Sequence, residues 1–266
     1  MLGPLSDLSA LKTSTSMPLN EKLRKQWKAA GYARGHGSDA VLPPPPASFR
    51  RLYYLTGPDF AISNIVFGRI KISRFSELND PFELLGQNFS EANIRNVVRS
   101  HKHLLNEKNG IVCFSEDWTD PVLWSHYAAK HKGIALGFDI PEALVKKVEY
   151  SPARLKYKIA EGTKSITPEL EQLLISTKYE SWKYEREWRL LLELNKSHNE
   201  GGLYFSQFGQ SLKLVEVILG SLCDFNLKKM RDLVNSRHKA VVTYRARLAF
   251  RSYRIIPKGS TVLKTN

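Results

Sequence analysis

The sequence is short of several things, and each shortage excludes something. It holds two cysteines, Cys113 and Cys223, in 266 residues. That is too few for a disulfide framework and fits a reducing compartment such as the cytoplasm. Both lie in apolar, strand-like runs (IVCFS and GSLCDF) and read as small buried hydrophobes. No run of about 18 apolar residues occurs, so no membrane span is expected. The opening MLGPLSDLSALKTSTSMPLNEK lacks a basic stretch followed by an apolar one and does not read as a secretory signal; Met17 offers a second start. Neither common glycine-rich phosphate loop is present, which disfavours a Rossmann or P-loop nucleotide site. Zinc-type spacing is missing too. His101 and His103 lack a clear third ligand, and His126 and His131 do not share a helix face. Acids are scarce, 26 against 40 Lys and Arg, for a net charge of +14.

That charge is concentrated. Residues 225–266 carry eleven Lys or Arg and one acid, Asp232, for a net of +10. The other 224 residues together carry +4. Such a block favours an anionic partner: nucleic acid, a nucleotide or an acidic protein. Within it Tyr244, Phe250 and Tyr253 interleave with Arg245, Arg247, Arg251 and Arg254. Rings and guanidinium groups can stack on bases while the charge neutralises phosphates.

The chain divides unevenly. Residues 1–48 form an arm: a short helical pattern (LNEKLRKQWKAAG) and then GHGSDAVLPPPPASF, an extended proline-rich linker. Residues 49–266 read as a single α+β domain with a basic C-terminal part, because strand patterns cluster with helices between them. RLYYLT, RIKISRF, NGIVCFS, GIALGFDI, KLVEVILGS and VVTYRARLAFRSYRII read as strands. PDFAISNIVFG, residues 90–108, residues 121–131 behind Asp120, PEALVKKV, residues 167–181 and Asn226–Ser236 read as helices.

Three segments could carry chemistry. WKYEREWRLLLEL reads two ways. As a strand it places Lys183, Glu185, Glu187 and Arg189 on one face, with two carboxylates roughly 7 Å apart. As a helix it is a solvated face with Glu185 and Arg189 paired. Around the second segment, Ser115 ends a buried strand, and Trp124, Tyr127 and His131 share a helical stripe that is either core or a platform for a flat heterocycle. The third, NDPFE, is either a structural turn or a divalent-ion site in which Asp80 and Glu83 join Glu187.

The order LYYLT, SELNDPFE, IVCFSED, LWSHYAAKHKGIALGFD, WKYEREWRLLL, over roughly residues 50–258, resembles the bacterial family known as domain of unknown function 2971 (DUF2971). More distantly, it resembles the ADP-ribosyltransferase fold, shared by diphtheria-toxin-like enzymes, poly-ADP-ribose polymerases and DNA-modifying toxins. That resemblance implies a split β-sheet core with flanking helices and NAD as substrate. Tyr54 stands where relatives carry His or Arg. Tyr54, Thr56 and Ser115 would hold the nicotinamide ribose and amide, and Tyr127 would stack on nicotinamide. Glu187 would be the catalytic carboxylate and Glu185 would handle the acceptor. The expected activity is ADP-ribosyl transfer to nucleic acid or protein, or NAD hydrolysis, in the setting of a bacterial toxin or anti-phage effector. Two rivals stand beside it: a metal-dependent nuclease, and a non-catalytic basic module that binds nucleic acid.

Overall fold

A computed structural model describes residues 42–86, 92–155 and 165–258. Most of the arm expected over residues 1–48 lies outside them. The architecture is mixed α+β. Thirteen strands are described: β1 Phe49–Thr56, β2 Arg69–Ile72, β3 Asn109–Ser115, β4 Ile134–Pro141, β5 Val145–Lys147, β6 Glu149–Ser151, β7 Thr177–Tyr179, β8 Glu187–Glu193, β9 His198–Glu200, β10 Leu203–Gln207, β11 Lys213–Leu219, β12 Val242–Leu248 and β13 Ile255–Pro257. Five α-helices accompany them: α1 Pro58–Phe67, α2 Ala92–Lys108, α3 Pro121–Tyr127, α4 Pro168–Ile175 and α5 Leu227–Arg237. Eight strands form one sheet in the order β13-β12-β11-β4-β1-β3-β8-β5. β11 and β12 run parallel, and the other neighbours run antiparallel.

The feature that positions the site lies in the middle of this sheet. β1 pairs with β4 along its whole length, from Phe49 opposite Pro141 to Thr56 opposite Ile134. β3 pairs fully with β8, from Asn109 opposite Glu193 to Ser115 opposite Glu187. Between β1 and β3, however, the ladder holds only at Tyr53 and Ser115. Beyond that pair the second half of β1 and the first half of β3 separate, and Ser73, the residue after β2, bridges to Ile111 near the start of β3. The sheet therefore opens as a wedge.

Local sequence explains the elements that frame the wedge. β4 is buried on both faces, as its near-continuous apolar run requires of a central strand. α3 starts where Asp120 accepts from the Val122 amide with Pro121 in the first turn. It is shorter than the expected 121–131, because Ala129, Lys130 and His131 all adopt positive φ of 47, 55 and 69° and cannot continue a right-handed helix. His131 nevertheless returns to stack on Trp124, with ring centroids 6.5 Å apart and 11° between planes. Two other expected helices also shorten. Residues 142–144 form a single 3-10 turn before β5, and α4 ends at Ile175 so that β7 can begin.

Gly133 closes the turn after α3 by donating to the Ala128 carbonyl at 2.7 Å. A Cβ at that position would meet the Thr56 carbonyl oxygen at 2.2 Å and Ala128 backbone atoms at 2.8 Å. Neither neighbour is a flexible side-chain tip, so Gly133→Ala is expected to cost about 1–3 kcal/mol through overpacking. Urea denaturation measures this, and an unchanged midpoint would refute the contact.

One apolar core lies behind the sheet and includes Leu52, Ile65, Phe114, Phe138, Trp188 and Val217. A second, on the face shared by Tyr53, is built from Trp118, Trp124, Tyr244 and Ile255. Trp118 joins it together, its ring lying 6.0–6.5 Å from those of Tyr53, Trp124 and Tyr244.

Candidate functional site

A cavity of about 230 Å³ fills the wedge. Its apolar wall includes Leu55, Val112, Phe114 and Leu123; its polar wall includes Ser115, Tyr127, Lys178, Glu185, Glu187 and Arg189. Because Tyr53, Ser115 and Glu187 are successive cross-strand partners, they stand in line on one face of the sheet. Tyr54 points to the opposite face, edge-on to Phe114 at 6.2 Å, yet still lines the cavity where the strands part.

The acidic segment satisfies neither simple reading. Glu180–Glu185 is a 3-10 helix, Arg186 takes a left-handed φ of 45°, and β8 begins at Glu187. Glu187 and Arg189 do share a strand face, as expected. Glu185 reaches the same place from the turn before it.

A long cation joins the two carboxylates. Lys178 Nζ donates to Glu185 Oε2 at 2.6 Å and to Glu187 Oε2 at 3.1 Å. Arg189, with a side chain only 1 % exposed, holds the other side. Its Nε donates to Glu187 Oε1 at 2.8 Å, and its two terminal nitrogens donate to Glu83 at 2.5 and 3.0 Å. It also donates to the Ile175 carbonyl at 2.5 Å. Burying three carboxylates and two cations together is tolerable only because nearly every charge meets its opposite. The Tyr127 hydroxyl donates to Glu185 and accepts from Asn79 Nδ2 at 2.7 Å. The Tyr150 hydroxyl accepts from the Glu187 amide at 2.8 Å.

This arrangement pushes the two acids apart in proton affinity. Burial alone would raise Glu187, but Arg189 and Lys178 outweigh it and bring it down to about 2. Burial raises Glu185, and the neighbouring Glu187 adds to the effect against Lys178. Glu187 is thus held as a carboxylate, whereas Glu185 gains affinity for a proton. Burial, with Glu185 beside it, also raises the Tyr127 hydroxyl, which stays a donor. A carboxylate depressed in the folded state stabilises it above the unfolded value and stops doing so as pH falls through the folded one. The stability advantage of the native protein over Glu187→Gln should therefore be full above about pH 4.5 and shrink toward pH 2. Paired urea titrations across that range test it, and an advantage that grew on acidification would contradict it.

The residues expected from sequence fall into three groups. Ser115, Tyr127, Glu185, Glu187 and Tyr54 line the one cavity. Ser115 Oγ accepts from the Asp117 amide at 3.1 Å. Thr56 is buried opposite Ile134, outside the residues lining the cavity. Arg51, on the opposite strand face from Tyr54 and not among the expected residues, has its guanidinium on both Asp139 oxygens at 2.8 and 3.0 Å. Of the ion-site candidates, Glu83 and Glu187 share Arg189, whose guanidinium takes the place of a cation between them. Asp80 accepts from the Phe82 amide at 2.9 Å and faces a neighbouring cavity. Among the described residues, no group of three His, Cys, Asp or Glu is placed to hold a metal.

The basic tail also divides. Tyr244 is core. Arg245 donates to the Cys223 and Phe225 carbonyls, so it fastens a loop. Arg254 is turned onto Thr119 and Asp117. Arg247 and the exposed Arg251 remain at the surface.

The sequence does not single out Lys178, Arg189 or Asn79 as site residues. Arg189 had one signal, its place two residues after Glu187 on a strand. Lys178 had none, since a lysine in KYESWKYERE reads as solvated.

Residues 123–190 match the family described as Protein of unknown function (DUF2971). The matched segment contains Tyr127, Lys178, Glu185, Glu187 and Arg189 of the cavity's polar wall. No curated protein and no solved structure matches the chain.

Proposed function

We propose that the wedge is an NAD site in an ADP-ribosyltransferase-like core, and that the chain transfers ADP-ribose from NAD to an acceptor or to water. The observation that carries this reading is the gathering of Tyr127, Ser115, Glu185 and Glu187 around one cavity where the sheet parts. A cavity of about 230 Å³ suits the nicotinamide end of the dinucleotide rather than the whole molecule. The aromatic walls offered by Tyr54, Phe114 and Tyr127 suit a flat ring.

In the proposed reaction the bond between nicotinamide and the ribose C1′ breaks, and its electron pair leaves with nicotinamide. Positive charge develops on the ribose. Glu187, held ionised, would hydrogen-bond the ribose 2′-hydroxyl and stabilise that charge inside a buried, water-poor setting. Glu185, with raised proton affinity, would take the proton from the attacking acceptor or water. Lys178 and Arg189 would keep Glu187 charged and aimed. The Lys178 bridge and the Tyr127 hydrogen bond occupy oxygens that substrate would use, so binding would exchange at least one of them.

The test is incubation with labelled NAD, with and without cell RNA, DNA and protein. Release of nicotinamide supports the proposal, and transfer of label identifies the acceptor. Magnesium-dependent cleavage of nucleic acid without NAD would overturn it in favour of a nuclease. Absence of any turnover would leave a binding module.

A further inference from the structure

The segment between β12 and β13 is built differently from the rest of the surface. Phe250 is 93 % exposed, Tyr253 99 % and Leu248 58 %. Large rings this exposed gain nothing from the fold itself, since burial is what stabilises them. The segment is also free of acids: residues 242–258 contain Arg245, Arg247, Arg251, Arg254 and Lys258 and no Asp or Glu. Arg247 lies over the Phe250 ring at 5.0 Å, which steadies one face of it.

The hairpin is also anchored near the cleft. The Ile255 amide donates to the Thr119 carbonyl at 2.8 Å. Arg254 donates to Thr119 Oγ1 and to Asp117 Oδ2. Asp117 Oδ2 accepts as well from Arg186 at 3.0 Å, the residue between Glu185 and Glu187. Thr119 is four residues beyond Ser115, which lines the cavity. Tyr244 of β12 and Tyr53, which lines the cavity, both pack on Trp118 in one aromatic cluster.

We infer that the tip Leu248–Arg254 is a docking site for single-stranded nucleic acid, with bases stacked on Phe250 and Tyr253 and phosphates on Arg247 and Arg251. Charge complementarity and open ring faces favour this occupant. Bases in a duplex keep their faces covered, whereas an unpaired strand offers them, and stacking on aromatic side chains tolerates any sequence. Placing the strand here makes it the acceptor best positioned for the cleft. That last step rests on the transferase reading; the binding does not.

The experiment is fluorescence anisotropy with labelled dT20 and rU20, in the absence of NAD, from 50 to 300 mM salt. Phe250→Ala/Tyr253→Ala should weaken binding by about thirtyfold or more, with the salt slope kept. Arg247→Ser/Arg251→Ser should flatten that slope by about 1.4, the loss of two phosphate contacts. Both pairs lie at the surface, and unchanged thermal melts confirm folding. Equal affinity of native and ring-deleted proteins, or equal affinity for duplex, would overturn the proposal and leave a merely basic surface. Binding to phosphatidylserine vesicles with none to either oligonucleotide would overturn it in favour of a membrane surface. Because NAD is absent, a protein that binds the strand but never turns over NAD would sink the enzymatic reading alone.

Discussion

Glu187→Gln is expected to lower nicotinamide release by about 10²–10³-fold while leaving KM for NAD within a few-fold. The variant keeps the shape of the side chain and removes only the charge. In the proposed reaction that charge matters when the ribose becomes cationic, not when neutral ribose binds, so the loss belongs in kcat. The fold should survive. Arg189 keeps Glu83, and Lys178 keeps Glu185 at 2.6 Å. A drop of less than tenfold, or a rise in KM with kcat unchanged, would show that Glu187 is not the group that meets the developing charge.

Arg189→Met is expected to destabilise the protein by about 3–5 kcal/mol. The side chain is nearly inaccessible and serves Glu83, Glu187 and the Ile175 carbonyl at once. Methionine fills comparable volume but leaves two buried carboxylates without their shared cation. Those groups would take up protons on folding, so their pKa values rise above the unfolded ones. The sign follows: the penalty should be greatest near neutrality and should ease as pH falls toward 5. Adding Glu83→Gln to Arg189→Met should recover part of the loss. Urea titrations at pH 7 and 5 decide the matter. A penalty below about 1 kcal/mol, or one indifferent to pH, would mean that the cluster is not held by this guanidinium.

How far the sequence reaches depends on how local each feature is. LYYLT, IVCFS and GIALGFD are legible as strands because their β-branched and aromatic residues need only their own neighbours. The order of motifs points to Ser115, Tyr127 and Glu187, and they line one cavity. What could not be read is the line Tyr53, Ser115, Glu187, because register between strands over 60 residues apart leaves no trace in any one of them. Lys178 illustrates a second limit. A lysine is expected at the surface, and it is buried here because the 3-10 turn Glu180–Glu185 folds Glu185 and Glu187, seven and nine residues later, back onto it. Glu83 shows the same effect from the other side: on NDPFE it looked like an ion ligand, yet its partner is Arg189, 106 residues later. In the basic tail, alternation of Arg with aromatic residues was visible but depth was not. From the pattern alone Tyr244 and Arg245 read as surface groups. Tyr244 instead packs on Trp118 in the core, and Arg245 is tied to the Cys223 and Phe225 carbonyls.

The wedge has a mechanical consequence. A continuous ladder resists any in-plane rotation of its strands, since each added pair of residues must shear together. Here β13 through β1 form one plate and β3 through β5 another, and the seam between them is a single residue pair. Rotation about Tyr53 and Ser115 changes the width of the gap while every hydrogen bond within either plate stays intact. Across the seam the backbone ladder is thus at its weakest, and what opposes widening of the gap is side-chain packing, Tyr54 and Phe138 against Phe114.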